Sequence, residues 1–293
     1  MRRFTHEATP FPGRLNHFII ADSLGELGEF ARASHLRSSM SSPNWDFGLG
    51  LEKAIQFCFT GDTSQVSKSD EMLERLEAHI EMPSTRNVWI DDIAGYFPNV
   101  PAHLSGSPLA MRRRAKAESI SAPLAIIVDL SISAGITALQ AQRRGITILA
   151  LARALSARRP IELWVGDMGA ADEQNLGFTS RGSVNCVSIF TRIETTPLDL
   201  ASSCYALTHP AFLRQVLFQL EEKHHGFMGG WPFRLGRALK RTEMESLLAP
   251  AFPQVTSTLC IPGLHIADDT VNNPEAWLIR EIKLHDPLSL AEA

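Results

Sequence analysis

The hydrophobic pattern of the chain changes character near residue 120. Before it, apolar residues recur at helical spacing in short segments. Leu24 to Phe30 predicts a short helix, and Gly48 to Phe59 an amphipathic one with Leu49, Leu51, Ile55 and Phe59 on one side. Ser67 to Ile80 predicts a third helix, with Met72, Leu73, Leu76 and Ile80 as its stripe, Ser67 or Ser69 as its cap and Met82-Pro83 as its stop. Trp89 to Pro108 is rich in Pro, Gly and aromatic residues and predicts an ordered irregular segment. A compact positive run, Arg112, Arg113, Arg114 and Lys116, follows it.

After residue 120 the runs lengthen. Ala122 to Leu130 is continuously apolar and rich in Ile, Val and Leu, as a strand buried on both faces requires. Arg144 to Arg158 predicts a helix with Ile148, Leu151, Ala152 and Leu155 inward, ended by positive charge and Pro160. Pro160 to Met168 and Val184 to Ile193 read as strands. Pro210 to His224 reads as a second long helix, with Phe212, Val216, Leu217 and Leu220 inward. Val255 to Ala267 holds a fourth strand, broken at Pro262-Gly263, and Pro274 to Ile282 a final helix. The order strand, helix, strand, strand, helix, strand, helix predicts an α/β domain over 121–293: a doubly wound, mostly parallel sheet flanked by helices, with an insertion at 226–253. Residues 1–120 are expected to form a mostly helical, partly irregular N-terminal extension packed on it.

Composition narrows the class. With 44% hydrophobic and 20% charged residues over 293 positions, the chain is neither a disordered tail nor a coiled coil nor a collagen-like fibre. A net charge of -4 excludes a globally basic nucleic-acid coat and leaves local patches open. Cys58, Cys186, Cys204 and Cys260 form no CxxC pair, which argues against a zinc knuckle or disulfide scaffold and for buried thiols. The first residues lack the apolar run of a signal peptide, and no later stretch suits a bilayer span, so a cytoplasmic location is expected. GxxxxGK[ST], GxSxG and HExxH are all absent, so no enzymatic reaction is indicated.

Ligands of such sheets bind at the carboxyl ends of the strands. The first strand ends in Asp129-Leu130-Ser131-Ile132-Ser133. A carboxylate and two hydroxyls on alternate residues are hard oxygen donors suited to Mg²⁺ or Mn²⁺. So few protein ligands leave room for water or for a partner's carboxylate. The same residues also suit a turn that caps the following helix without any metal, and both readings stand.

The loop resembles the first metal-binding loop of the von Willebrand factor type A domain, a doubly wound α/β fold with a metal-ion-dependent adhesion site (MIDAS). The resemblance implies a Thr from a second loop, met here by Thr208, and an Asp from a third, met by Asp268 or Asp269. Ile132 and Ala134 stand where that family usually has Gly and Met, Ala206-Leu207-Thr208 replaces Gly-Gly-Thr, and Asp268-Asp269-Thr270 replaces Asp-Gly. It implies a divalent-cation-dependent, non-enzymatic protein-binding module whose partner completes the coordination with an acidic side chain. The segments AGYFPNVPAHLSGSPLAMRRR and PLDLASSCYALTHPAFLR are similar to those of uncharacterised proteins of bacterial viruses and prophages. That similarity implies a bacterial host cytoplasm or a virion as the setting.

Other residues carry weaker signals. His209 follows Thr208 and suits either partner contact or the start of a helix. Phe227, Trp231 and Phe233 belong to a Gly and aromatic loop that suits either a partner surface or a fold back over the core. Arg112, Arg113, Arg114 and Lys116 suit either phosphate contact, as in a nucleic-acid-handling virion component, or a solvated face. A metal-dependent hydrolase would need His209 or His265 as its base.

Overall fold

The computed structural model describes residues 1–8, 15–36, 42–77, 87–116, 123–133, 135–170, 184–225, 239–252, 257–265 and 268–285. Its elements, in chain order, are β1 (Arg2–Glu7), β2 (Leu15–Ala21), α1 (Leu24–Ala33), α2 (Pro43–Asp46), α3 (Leu51–Thr60), α4 (Val66–Glu77), β3 (Asn87–Asp92), β4 (Phe97–Pro98), α5 (Val100–Leu104) and β5 (Met111–Lys116). There follow β6 (Leu124–Asp129), α6 (Ala138–Ser156), β7 (Ile161–Ala170), β8 (Val184–Ile193), α7 (Leu200–Thr208), a π-helical segment (Phe212–Leu217), α8 (Phe218–His225), α9 (Arg241–Leu248), β9 (Thr258–Ile261), α10 (Asp269–Asn272) and α11 (Pro274–His285).

Six strands form the main sheet in the order β1-β2-β8-β7-β6-β9. β6 runs parallel to β7 and β9, and β2 runs parallel to β8. The pairs β1–β2 and β7–β8 are antiparallel, so the sheet is mixed and mostly parallel. The reversal at β8 follows from chain order, because no described helix separates β7 from β8 to carry a parallel crossover. Every residue of β6 is buried, as its unbroken apolar run requires.

Side chains of the strands alternate between two cores. Ile19, Ile126, Val128, Leu163 and Ile189 face a thick helical layer, and Phe18, Ile127, Trp164 and Phe190 face α9. Within the helical layer α6 is buried on all sides from Arg144 to Ala152. It packs on α4, α7, α10 and α11, the setting that an all-round apolar helix needs. Gly145 makes that packing feasible: a Cβ there would lie 1.9 Å from the Leu207 carbonyl oxygen of α7.

The helices expected before residue 120 are present as α1, α3 and α4, but that segment is not a mostly helical extension. β1 and β2 complete the main sheet, and β2 sits between β1 and β8. Its strand pattern is masked by Asn16, which is buried and exchanges hydrogen bonds with Ser188 of β8: Nδ2 donates to Oγ at 3.0 Å, and Oγ donates to Oδ1 at 3.1 Å. α4 starts at Val66, so Ser67 and Ser69 lie inside it and do not cap it. The segment expected to be irregular forms a small antiparallel sheet, β3-β5-β4, with α5 inserted. Gly95 permits its tight turn, since a Cβ there would lie 2.3 Å from the Arg112 carbonyl oxygen.

Later boundaries also move. α6 begins at Ala138, not Arg144, because Thr137 and Gln140 form a capping box. The expected helix from Pro210 is the π-helical segment joined to α8, and a separate α7, capped by Asp199, precedes it. All four cysteines are buried and form no disulfide, and burial pushes the thiols of Cys58 and Cys260 up to about 12, which keeps them unreactive.

Candidate functional site

The Asp129 loop leaves the carboxyl end of β6 and turns immediately. Asp129 is fully buried. Its Oδ1 accepts from the Ser131 N–H at 2.9 Å and from the Met168 N–H at 3.3 Å, and its Oδ2 accepts from the Ser131 hydroxyl at 2.8 Å. Burial raises the carboxyl's pKa, and the Ser131 donors and the Arg144 charge pull against it. The loop is zipped to the chain beyond β9. The Leu264 N–H donates to the Ser131 carbonyl at 2.7 Å, the Ser133 N–H donates to the Leu264 carbonyl at 2.9 Å, and Ile132 bridges Leu264. Ser133 Oγ lies 3.1 Å from His265 Nδ1. Ser131, Ser133 and His265 are therefore neighbours at one end of the sheet.

Arg144 holds this junction from below. The residue opens the helix predicted over Arg144 to Arg158, where a charged side chain is expected in solvent, yet it is buried. Its Nη1 donates to the Asp129 carbonyl at 3.0 Å, and its Nη2 donates to the Pro262 carbonyl. Burial lowers its pKa, while the charges of Asp268 and then Asp129 hold it up. Asp268 is thus the third-loop carboxylate that acts on the site. It also caps α10, accepting from the Thr270 N–H at 2.8 Å. Asp269 points elsewhere, 3.5 Å from exposed Arg280.

Thr208 ends α7 and is buried, its hydroxyl 3.7 Å from Cys204 Sγ. His209 caps that helix, and its Nδ1 accepts from the Ala211 N–H at 3.2 Å. The imidazole sits among Tyr205, Phe47 and Phe57, and burial lowers its pKa against the charges of Asp62 and Asp46. A small, partly open depression separates the two loops. Leu130, Ile132 and Arg144 line one side, and Thr208, His209 and Pro210 the other. Its wall is braced by Arg214 of the π-helical segment, which is buried, stacks 3.7 Å over Trp45 and donates to the Trp45 and Ile136 carbonyls.

Two acidic residues escape the sequence reading. Asp167 of β7 and Glu221 of α8 are fully buried, and no N–H or O–H donor reaches their carboxylate oxygens. The charge of Asp167 disfavours a second charge on Glu221, which favours a proton on one of the two. Burial first, and the nearby Asp129 charge second, push Asp167 to about 7. Burial and Asp167 hold Glu221 well above the ordinary carboxylate range. The signals were present: an Asp inside an apolar strand, and a Glu four residues after Leu217 on an inward stripe.

Asp129, Ser131 and Ser133 are hard oxygen donors at one strand end, which fits Mg²⁺ or Mn²⁺ in kind; Thr208 stands across the depression, its hydroxyl against Cys204. Among the described residues, no three or more His, Cys, Asp or Glu side chains are arranged to hold a metal ion, so hydroxyls would dominate its coordination. The basic run lies on β5, away from the depression. Arg112 and Arg113 face Asp91 and Asp92, the first pair at 3.2 Å, and Arg114 and Lys116 stand opposite Trp89 and Asn87 in register. Phe227, Trp231 and Phe233 lie outside the described residues. Among the described residues no helix is long and apolar enough to cross a membrane.

The fold is a mixed α/β domain with a mostly parallel six-stranded sheet flanked by helices, and the Asp129 loop lies at the carboxyl end of β6, next to the edge strand β9. The chain belongs to the family described as a domain of unknown function, DUF7192, whose sequence model matches residues 7–284. The match runs across residue 120, as the main sheet does. No curated protein and no solved structure matches the chain.

Proposed function

We propose that the protein is a non-enzymatic binding module of the von Willebrand A-like class. It takes a partner protein's acidic side chain at the carboxyl ends of β6 and β9, with a divalent cation between them. The observation that carries this reading is the Asp129 loop at the carboxyl end of β6, where Asp129 holds the Ser131 hydroxyl and Ser133 lies beside His265, next to a depression lined by Leu130, Ile132, Thr208 and His209. A side chain entering it meets both loops. Ser131, Ser133 and Thr208 are the residues that would hold Mg²⁺ or Mn²⁺, with Asp129 anchored behind Ser131. The cation supplies the positive charge that a carboxylate recognises.

Arg144 bears on the affinity. Its guanidinium already offsets the charges of Asp129 and Asp268, so the cation alone binds weakly and the partner's carboxylate completes the site. Resemblance to proteins of bacterial viruses and prophages supports a role in a virus or mobile element. The nucleic-acid reading draws no support from Arg112 and Arg113, which face aspartates.

The test is thermal unfolding in EDTA and in Mn²⁺ or Mg²⁺. A ligand bound only by the folded chain must raise its stability, by about 1.4 kcal/mol at ten times its Kd. The rise is expected in the wild type and is expected to vanish in Ser131→Ala and Thr208→Val. Equal melting temperatures with and without the cation overturn the reading.

A further inference from the structure

We infer that His265 is a ligand of the cation in the proposed site, and that it makes the site select Mn²⁺ and the later first-row dications over Mg²⁺. The inference rests on the reading of the Asp129 loop as a cation site. The observation behind it is the placement of two donor atoms, Ser133 Oγ and His265 Nδ1, 3.1 Å apart. Adjacent ligands of one octahedral ion, with bonds of about 2.1 Å, are about 3.0 Å apart. The pair therefore already stands at the spacing of one edge of such a site. Asp129 Oδ2 and Ser131 Oγ, 2.8 Å apart, stand at a similar spacing.

Main-chain hydrogen bonds fix this placement. Leu264 pairs with the loop on both sides: its N–H donates to the Ser131 carbonyl at 2.7 Å, and its carbonyl accepts from the Ser133 N–H at 2.9 Å. His265 follows Leu264 directly, and its own carbonyl accepts from the Asp268 N–H at 3.1 Å. Ser133 is half-buried and His265 exposed, so a cation reaches the pair from solvent.

Chemistry then ranks the donors. The Ser131 hydroxyl is committed to Asp129, and a serine hydroxyl is in any case a neutral, weak ligand. His265 adds a nitrogen donor to a set otherwise made of oxygens. Oxygen sets suit Mg²⁺, which parts with its water reluctantly. Imidazole suits the transition metals, and affinity for a mixed set rises from Mn²⁺ through Co²⁺ to Ni²⁺. To bind a metal, Nδ1 must present its lone pair, so the ring proton sits on Nε2. In that tautomer the Ser133 hydroxyl donates to Nδ1 in the cation-free chain, and a cation displaces this hydrogen bond and takes a lone pair from each atom.

Thermal unfolding of the full chain in EDTA and in equal concentrations of Mg²⁺, Mn²⁺, Co²⁺ and Ni²⁺ tests this, with calorimetric titration of Mg²⁺ and Co²⁺ for the affinities. The wild type is expected to bind Co²⁺ more tightly than Mg²⁺ by about tenfold or more. His265→Asn offers an amide oxygen near the same place. It is expected to keep the Mg²⁺ response and to bring Co²⁺ within about threefold of Mg²⁺. Its melting in EDTA should stay close to that of the wild type, because His265 is exposed. The chain has ten histidines, so Co²⁺ binding that survives His265→Asn undiminished lies elsewhere and overturns the inference. Equal affinity of the wild type for Mg²⁺ and Co²⁺ overturns it while the cation site itself stands. No response to any of the four cations overturns both.

Discussion

The guanidinium of Arg144 lies 3.0 Å from the backbone oxygen of Asp129, so the middle of α6 holds the end of β6 directly. The same group donates to Pro262, beyond β9. Arg144→Met removes the donor to both carbonyls and the positive charge that acts on Asp129 and Asp268. A loss of about 3 kcal/mol is expected. Arg144→Lys is expected to recover little, because an ammonium lacks the planar fork that reaches two carbonyls at once. Urea unfolding of the two variants checks this.

Asp167 and Glu221 make stability depend on pH in a defined direction. Both have folded pKa values raised above their ordinary values of 3.8 and 4.5. The folded chain therefore binds more protons than the unfolded chain once the pH exceeds about 4. Their contribution is complete below that point and declines as the pH rises to about 7 for Asp167, and further for Glu221. Asp167→Asn is expected to flatten this decline and to be more stable than the wild type at pH 8. The measurement is the difference in urea midpoint between the two proteins from pH 4 to 8, in which contributions from the buried histidines cancel. A difference that does not change with pH counts against a proton held by the pair.

Gly145→Ala reverses the usual helix preference. Alanine in a helix interior is favoured over glycine by about 1 kcal/mol. Here its Cβ would lie 1.9 Å from the Leu207 carbonyl oxygen, so α6 and α7 must part. A net loss of about 2 kcal/mol is expected. Because Thr208 follows Leu207, the thermal shift produced by a bound cation should shrink as well.

Asn16 and Ser188 are satisfied only by each other in the described hydrogen bonds that join β2 to β8. Asn16→Ala leaves a buried hydroxyl unpaired and is expected to cost about 1–3 kcal/mol. Ser188→Ala in that background should cost little more. A double-mutant cycle measures the coupling, and additive losses would show that the pair is not coupled.

Much of the sheet was legible in the sequence because β6 is a nearly continuous apolar run, β7 and β8 are rich in β-branched and aromatic residues, and α6 and α11 keep a helical period. β2 was not, since its buried Asn16 reads as a surface residue until its side-chain hydrogen bonds to Ser188 of β8 are seen. β3 and β5 were hidden for another reason: Asp91, Asp92, Arg112 and Arg113 carry a charge pairing that only appears once the strands are aligned. At the site, Asp129 and Ser131 were legible from their place after a predicted strand; Thr208 was expected in a loop before the Pro210 helix and instead ends α7. Arg144 was not, because the helix stripe was read from a later start and its inward direction was lost. Asp167 and Glu221 were overlooked because each is a single acid in an apolar segment, and only the fold brings the two together.

The position of β2 has a consequence for how the chain is made. Asn16 and Ser188 are 172 residues apart, and β2 gains its parallel neighbour only when β8 has been synthesised. At 5–20 residues per second, the nascent amino-terminal strand pair therefore waits on the order of 10–30 s with one apolar edge open. During translation that edge is the part of the molecule most in need of a chaperone, and a ribosome stalled before Val184 would leave it exposed for as long as the stall lasts.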